Sequence, residues 1–181
     1  MTRQIRDILI YNGYEYYLND EYLEQFFEQF PEKKPVIESS FSALWRGYVA
    51  TFEIVEEQLF VKRISVFSEC NLDEFFPNSR KFDWFTGLIR IDDFRGEYDD
   101  ENDPSAIFEF LEIVNGNLKN IWKLNYLDFI AFKEIQFDYF KTTQDYANLY
   151  LLWRKNNPKI PDSDIDKYIS ESIMRNSKEL F

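Results

Sequence analysis

Two glutamates occupy matching places in two similar segments, and they are the first residues whose type and spacing suggest chemistry. Glu53 lies in Phe52-Glu53-Ile54-Val55-Glu56-Glu57-Gln58-Leu59, and Glu112 lies in Leu111-Glu112-Ile113-Val114-Asn115-Gly116-Asn117-Leu118. Paired carboxylates do acid–base work when an apolar setting keeps one protonated and a set distance separates the two, as in glycoside hydrolysis. A carboxylate-dependent enzyme, for example one acting on carbohydrate, is therefore one reading. The plainer reading is that both glutamates alternate with apolar neighbours on the solvent face of a strand.

Most other chemistries fall away on composition. The chain has no histidine and a single cysteine, Cys70. That removes His-dependent triads, imidazole acid–base catalysis and zinc or iron–sulfur sites built on His and Cys. It also leaves no disulfide within the chain, which fits a reducing compartment. Gly13, Gly47, Gly87, Gly96 and Gly116 have neither phosphate-loop nor dinucleotide spacing. No cofactor and no structural metal are expected. Asp99-Asp100-Glu101-Asn102-Asp103 offers oxygen ligands for Ca²⁺. It departs from the EF-hand pattern, with Pro104 where the turn glycine belongs and Phe110 where the bidentate glutamate belongs.

Two constellations suit recognition better than catalysis. Glu21, Glu24 and Glu28 line the polar side of a helix expected over about 20–30, with no Lys or Arg inside it to pair with them. Trp45-Arg46-Gly47-Tyr48 sets a guanidinium among rings, where Arg46 can stack or hold a carboxylate and Tyr48 can take part in binding. In the structural alternative Trp45 is core, Gly47 permits a close backbone approach or a bulge, and Arg46 is an internal ion pair. Trp45 and Trp84, which both open apolar strand runs, are expected to be mostly buried in one antiparallel sheet.

The elements that would position these residues follow from periodicity. Ile8–Tyr11 and Tyr14–Tyr17 flank Asn12-Gly13, the sequence of a type I′ hairpin turn. A stripe of Tyr22, Leu23, Phe26, Phe27 and Phe30 marks the helix, and Pro31 ends it. A second hairpin is expected within Phe41–Phe67, turning at Glu56-Glu57-Gln58, then a strand over Trp84–Ile91 after Phe76-Pro77-Asn78. A third hairpin turns at Asn115-Gly116, and Phe129–Phe140 suits helix or strand equally. Helices are expected at Thr143–Asn156, capped by Thr142, and at about Asp164–Leu180. The fold expected is α+β: an aromatic-rich, mainly antiparallel sheet built from hairpins, with one N-terminal helix and C-terminal helices packed on it. Residues 1–181 are expected to form a single domain, β-rich over 1–127 and mainly helical over 128–181. Duplication or shared hairpin grammar explains the resemblance between the Glu53 and Glu112 segments.

The formal net charge is −12, from 33 acidic and 21 basic residues. Such a balance repels nucleic acid and anionic membranes and favours a basic protein partner or simple solubility. Residues 1–18 lack a signal-peptide core, and no run approaches the ~18 apolar residues of a membrane span. A cytoplasmic location is expected.

Asp7-Ile8-Leu9-Ile10-Tyr11-Asn12-Gly13, the block Ala43-Leu44-Trp45-Arg46-Gly47-Tyr48-Val49-Ala50-Thr51-Phe52-Glu53-Ile54, Phe76-Pro77-Asn78 and Asp83-Trp84-Phe85-Thr86-Gly87-Leu88-Ile89-Arg90-Ile91 resemble an uncharacterised family of small bacterial proteins. The resemblance covers about residues 7–118 and implies bacterial origin and a β-rich fold, with no activity attached. The reading the residues favour is a non-catalytic, acidic protein-binding module, of the kind that neutralises a basic bacterial partner as immunity or inhibitor proteins do. A carboxylate enzyme and a structural or scaffold protein are the alternatives. The binding residues expected are Glu21, Glu24, Glu28, Arg46 and Tyr48.

Overall fold

The computed structural model describes residues 4–34, 42–65, 76, 79–91 and 103–173. Cys70, Asp99–Asn102, the Pro77-Asn78 loop and the end of the last helix expected lie outside the described residues. Among the described residues seven strands form one sheet, in the order β2-β1-β3-β4-β7-β6-β5. They are β1 Ile8–Tyr11, β2 Tyr14–Tyr17, β3 Val49–Val55, β4 Gln58–Ser65, β5 Gly87–Arg90, β6 Ile107–Val114 and β7 Asn117–Asn125. Helix α1 is Tyr22–Gln29, α2 Tyr126–Phe140, α3 Gln144–Asn156 and α4 Asp162–Glu171. The class is α+β, and the sheet is antiparallel except where β1 lies parallel to β3.

The chain divides into two compact units, residues 1–99 with 109–122 and residues 100–108 with 123–181. In the first unit, α1 lays Tyr22, Leu23, Phe26 and Phe27 into a core with Leu9, Phe52, Leu59, Val61, Phe82 and Ile89. Phe26 is its aromatic hub, with ring centroids 5.4 Å from Phe76, 5.8 Å from Phe82 and 5.7 Å from Trp84. Phe76 stacks on it and Phe82 and Trp84 meet it edge-on, arrangements that suit the quadrupole of each ring.

Three two-residue turns close the hairpins with left-handed backbone. The pairs are Asn12 (φ 51°) and Gly13 (φ 80°), Glu56 (φ 49°) and Glu57 (φ 59°), and Asn115 (φ 48°) and Gly116 (φ 68°). Positive φ at both central positions gives a turn whose twist matches that of the strands. Glu56-Glu57 adopts it without a glycine.

The two similar segments stand side by side as the hairpins β3–β4 and β6–β7. Gln58 pairs with Asn117, its counterpart in the other segment. Leu59 N–H donates to the Gly116 carbonyl at 2.9 Å, and its counterpart Leu118 N–H donates to Glu57, the counterpart of Gly116, at 2.8 Å. The two bonds exchange under a local two-fold axis through the Gln58–Asn117 pair, the arrangement a duplicated hairpin would have.

The second unit is mainly helical. Phe140, Ile165, Ile169 and Ile173 are buried together, flanked by Phe137, Tyr146, Leu149, Tyr150, Trp153 and Ile160. Phe129–Phe140, ambiguous in sequence, is helical. The reason is the cap: Asn125 accepts the Asp128 N–H at 2.9 Å and donates its amide to the Asp128 carboxylate at 2.7 Å. The cap of α3 is Thr143, which accepts the Tyr146 N–H at 3.2 Å, and not Thr142, whose hydroxyl donates to the Tyr139 carbonyl. Tyr146 O–H donates to Asp166 at 2.6 Å, and Arg154 forms an ion pair with Asp162. Burial, with that bond behind it, pushes the Tyr146 phenol up to about 12. Trp153 stacks on Tyr168 with centroids 5.4 Å apart.

Candidate functional site

Four of the five recognition residues expected from the sequence, Glu21, Glu24, Arg46 and Tyr48, converge on one polar knot in the first unit. Leu44 to Gly47 is a turn closed by the Gly47 N–H on the Leu44 carbonyl at 3.0 Å, with Gly47 at φ 78°. The turn sends Trp45 outward and Arg46 inward. Trp45 is 56% exposed and Arg46 only 2%. The expectation that Trp45 is core is therefore corrected. The larger apolar side chain faces solvent because the charged one beside it has a complete set of internal partners. Trp84, half-buried, packs against Phe26 and lies outside any strand, donating its indole N–H to Gln29 at 2.9 Å.

Arg46 makes four hydrogen bonds. Its Nε donates to the Tyr48 carbonyl (2.9 Å), Nη1 to Glu21 (2.7 Å), and Nη2 to both the Ile5 carbonyl (2.9 Å) and Asp7 Oδ1 (2.7 Å). The planar fork suits such divergent anchoring better than an ammonium would. Asp7 Oδ1 also accepts the Ala50 N–H at 2.7 Å. One guanidinium thus ties the approach to β1, the start of β3 and the N-terminal end of α1. Tyr48 is fully buried and donates its hydroxyl to Glu24 at 2.7 Å, while Lys34 holds the other oxygen of Glu24 at 2.8 Å. Burial pushes the Tyr48 phenol well above its ordinary value, and the bond to Glu24 adds to this.

Glu21 and Glu24 thus have internal partners from outside their helix, whereas Glu28 is exposed. Sequence reasoning missed Asp7 and Lys34. The signal for Asp7 was a lone carboxylate directly before the apolar run Ile8-Leu9-Ile10. A charge that the strand entrance buries needs a counter-charge.

Asp7 Oδ2 is buried and has no hydrogen-bond partner among the described residues. Desolvation lifts the Asp7 carboxyl from 3.8 to about 6, against the opposing pull of Arg46 and of the Ala50 N–H, and Glu21 and Glu24 add to the rise. The folded protein therefore binds this proton more tightly than the unfolded chain does. The stabilisation from that proton is complete below about pH 4 and is lost as pH rises through about 6, a change of about 2–3 kcal/mol. Denaturation from pH 4 to 8 should show this decline, and Asp7→Asn should flatten it.

The structure does not bring the two carboxylates together. Glu53 is held by Lys62 at 2.9 Å, and Glu112 accepts from Asn120 at 2.8 Å and from the Trp122 indole at 3.0 Å. Strands β3 and β6 are separated by β4 and β7. Three inter-strand steps put them roughly 14 Å apart, beyond the roughly 5–9.5 Å that glycosidase carboxylates require. Asp103, in the acidic loop, accepts from the Ser105 N–H and hydroxyl, both at 2.8 Å, which lower its pKa. Among the described residues no group of three or more His, Cys, Asp or Glu side chains is placed to hold a metal ion, and no helix is long and apolar enough to cross a membrane. No protein-family model matches the chain, and neither the curated proteins nor the solved structures include a match to it.

Proposed function

We propose that the protein is a non-catalytic binding module that recognises a basic protein partner, in the manner of an inhibitor or immunity protein. The observation that supports it is Trp45, a tryptophan exposed on a turn whose neighbour Arg46 is anchored by four hydrogen bonds. A rigid, exposed aromatic gives contact area at little entropic cost, and such residues dominate binding energy at interfaces. In this reading Arg46, Tyr48, Glu21 and Glu24 are positioning residues that fix the turn from within. Exposed Ile5 flanks it, since Ile5 N–H bonds the Ala43 carbonyl at 2.8 Å and Trp45 N–H bonds the Gln4 side chain at 3.2 Å. The net charge of −12, with Glu28 exposed on α1, favours a cationic partner.

Trp45→Ala tests this reading against Lys/Arg-rich peptides of about ten residues. Stability should change by less than about 0.5 kcal/mol, since the ring is largely in solvent. Affinity should fall by about tenfold or more. Unchanged affinity in the variant would count against Trp45 as the anchor, and failure of every cationic peptide to bind the native chain would remove the proposal.

A further inference from the structure

We infer that the open edge of β2 is the docking site, where a Lys- or Arg-bearing segment of the partner adds in extended form beside Tyr14–Tyr17. The inference rests on the binding-module reading and gives it a surface and a partner conformation.

The register decides which backbone groups are available. Tyr11 pairs with Tyr14, Ile10 with Glu15, Leu9 with Tyr16 and Ile8 with Tyr17. In a hairpin with a two-residue turn, the residues flanking the turn form a hydrogen-bonded pair, and bonded and non-bonded pairs then alternate. Tyr14 and Tyr16 therefore face β1, whereas the N–H and C=O of Glu15 and Tyr17 point away from it. The Leu18 N–H on the Asp7 carbonyl at 2.8 Å continues that alternation. Among the described residues no strand pairs with the outer side of β2. Tyr14 is 70% exposed and Tyr17 61%.

The opposite edge of the sheet is closed. β5 is largely buried, and its Leu88 carbonyl accepts the Tyr22 hydroxyl at 3.1 Å. Proteins blunt edges that must not pair with charges, Pro or bulges. β2 carries a single charge, Glu15, between exposed tyrosines.

Charge selects the occupant. Glu15 lies in one cross-strand row with Ile10 and Glu53, so an added strand meets a carboxylate there. A cation opposite Glu15, with its aliphatic stem along Tyr17, which shares the face of Glu15, satisfies that row. A second copy of the chain would bring the same net charge of −12 to the contact.

The probe is a peptide of about ten residues alternating Lys or Arg with Val or Thr, added to the isotope-labelled full chain. Amide exchange at Glu15 and Tyr17 should slow by about tenfold or more, while Tyr14 and Tyr16, already paired with β1, should change little. N-methylation of alternate peptide nitrogens should weaken binding by about tenfold, since it removes backbone donors and keeps every charge. Equal binding of the methylated peptide with unaltered exchange at Glu15 and Tyr17 overturns the edge site and leaves the basic-partner reading standing. Absence of binding by any cationic peptide removes both. Protection at these two amides that grows with protein concentration in the absence of peptide assigns the edge to a second copy, and overturns the inference.

Discussion

Replacing Arg46 with methionine is expected to lower the unfolding free energy by about 3–5 kcal/mol, measured by chemical denaturation at neutral pH. The side chain is 2% exposed and satisfies two carboxylates and two backbone carbonyls. Methionine fills much of the volume but leaves Asp7 buried without its counter-charge and the Ile5 and Tyr48 carbonyls without this donor. Removing one partner of a buried pair costs far more than the pair contributes over an apolar replacement, because the remaining charge is stranded. Asp7→Asn should be much milder at neutral pH. It removes a carboxylate that burial already disfavours, and Arg46 keeps Glu21. A loss below about 1 kcal/mol for Arg46→Met would mean that the knot is hydrated and contributes little to holding the first unit together.

The second large effect is expected at Gly116. An alanine Cβ there would stand 2.7 Å from both the Asp83 Cα and the Phe82 carbonyl oxygen, and the backbone sits at φ +68°. Both obstacles are main chain, so neither can swing aside. The left-handed conformation costs a non-glycine residue about 1–2 kcal/mol, and forcing atoms into packed space costs about 1–3 more. Gly116→Ala should therefore cost about 2–5 kcal/mol. Gly13 is the internal control: its φ is +80°, but nothing lies within 4 Å of an added Cβ. Gly13→Ala should show only the conformational part, about 1–2 kcal/mol. Equal losses at both positions would place the whole effect in the backbone conformation and none in the close approach.

Local grammar made most of the elements legible. Asn12-Gly13 and Asn115-Gly116 specify I′ turns because they tolerate positive φ, and the apolar stripe from Tyr22 to Phe27 specifies the buried face of α1. What periodicity could not rank was the competition within Trp45-Arg46-Gly47-Tyr48. Hydrophobicity alone places Trp45 inside and Arg46 outside. Long-range partners reverse the order, since Asp7 lies 39 residues and Glu21 25 residues away in sequence. The acidic strip was visible, but the groups that absorb Glu21 and Glu24 come from outside the helix. The likeness between the Glu53 and Glu112 segments was legible too, and its meaning was architectural: the symmetry that makes the two glutamates equivalent also keeps them far apart.

The most direct test of recognition of a basic partner is equilibrium binding of a Lys/Arg-rich peptide, and of its Asp/Glu counterpart, as salt is raised from roughly 50 to 300 mM. Across that range the Debye length shortens from more than 10 Å to less than 8 Å. The cationic peptide should bind and weaken steadily with salt, because charge steers and holds the encounter. The acidic peptide should not bind at any salt concentration. Equal affinity for the two peptides, or cationic binding indifferent to salt, would contradict recognition of a basic partner.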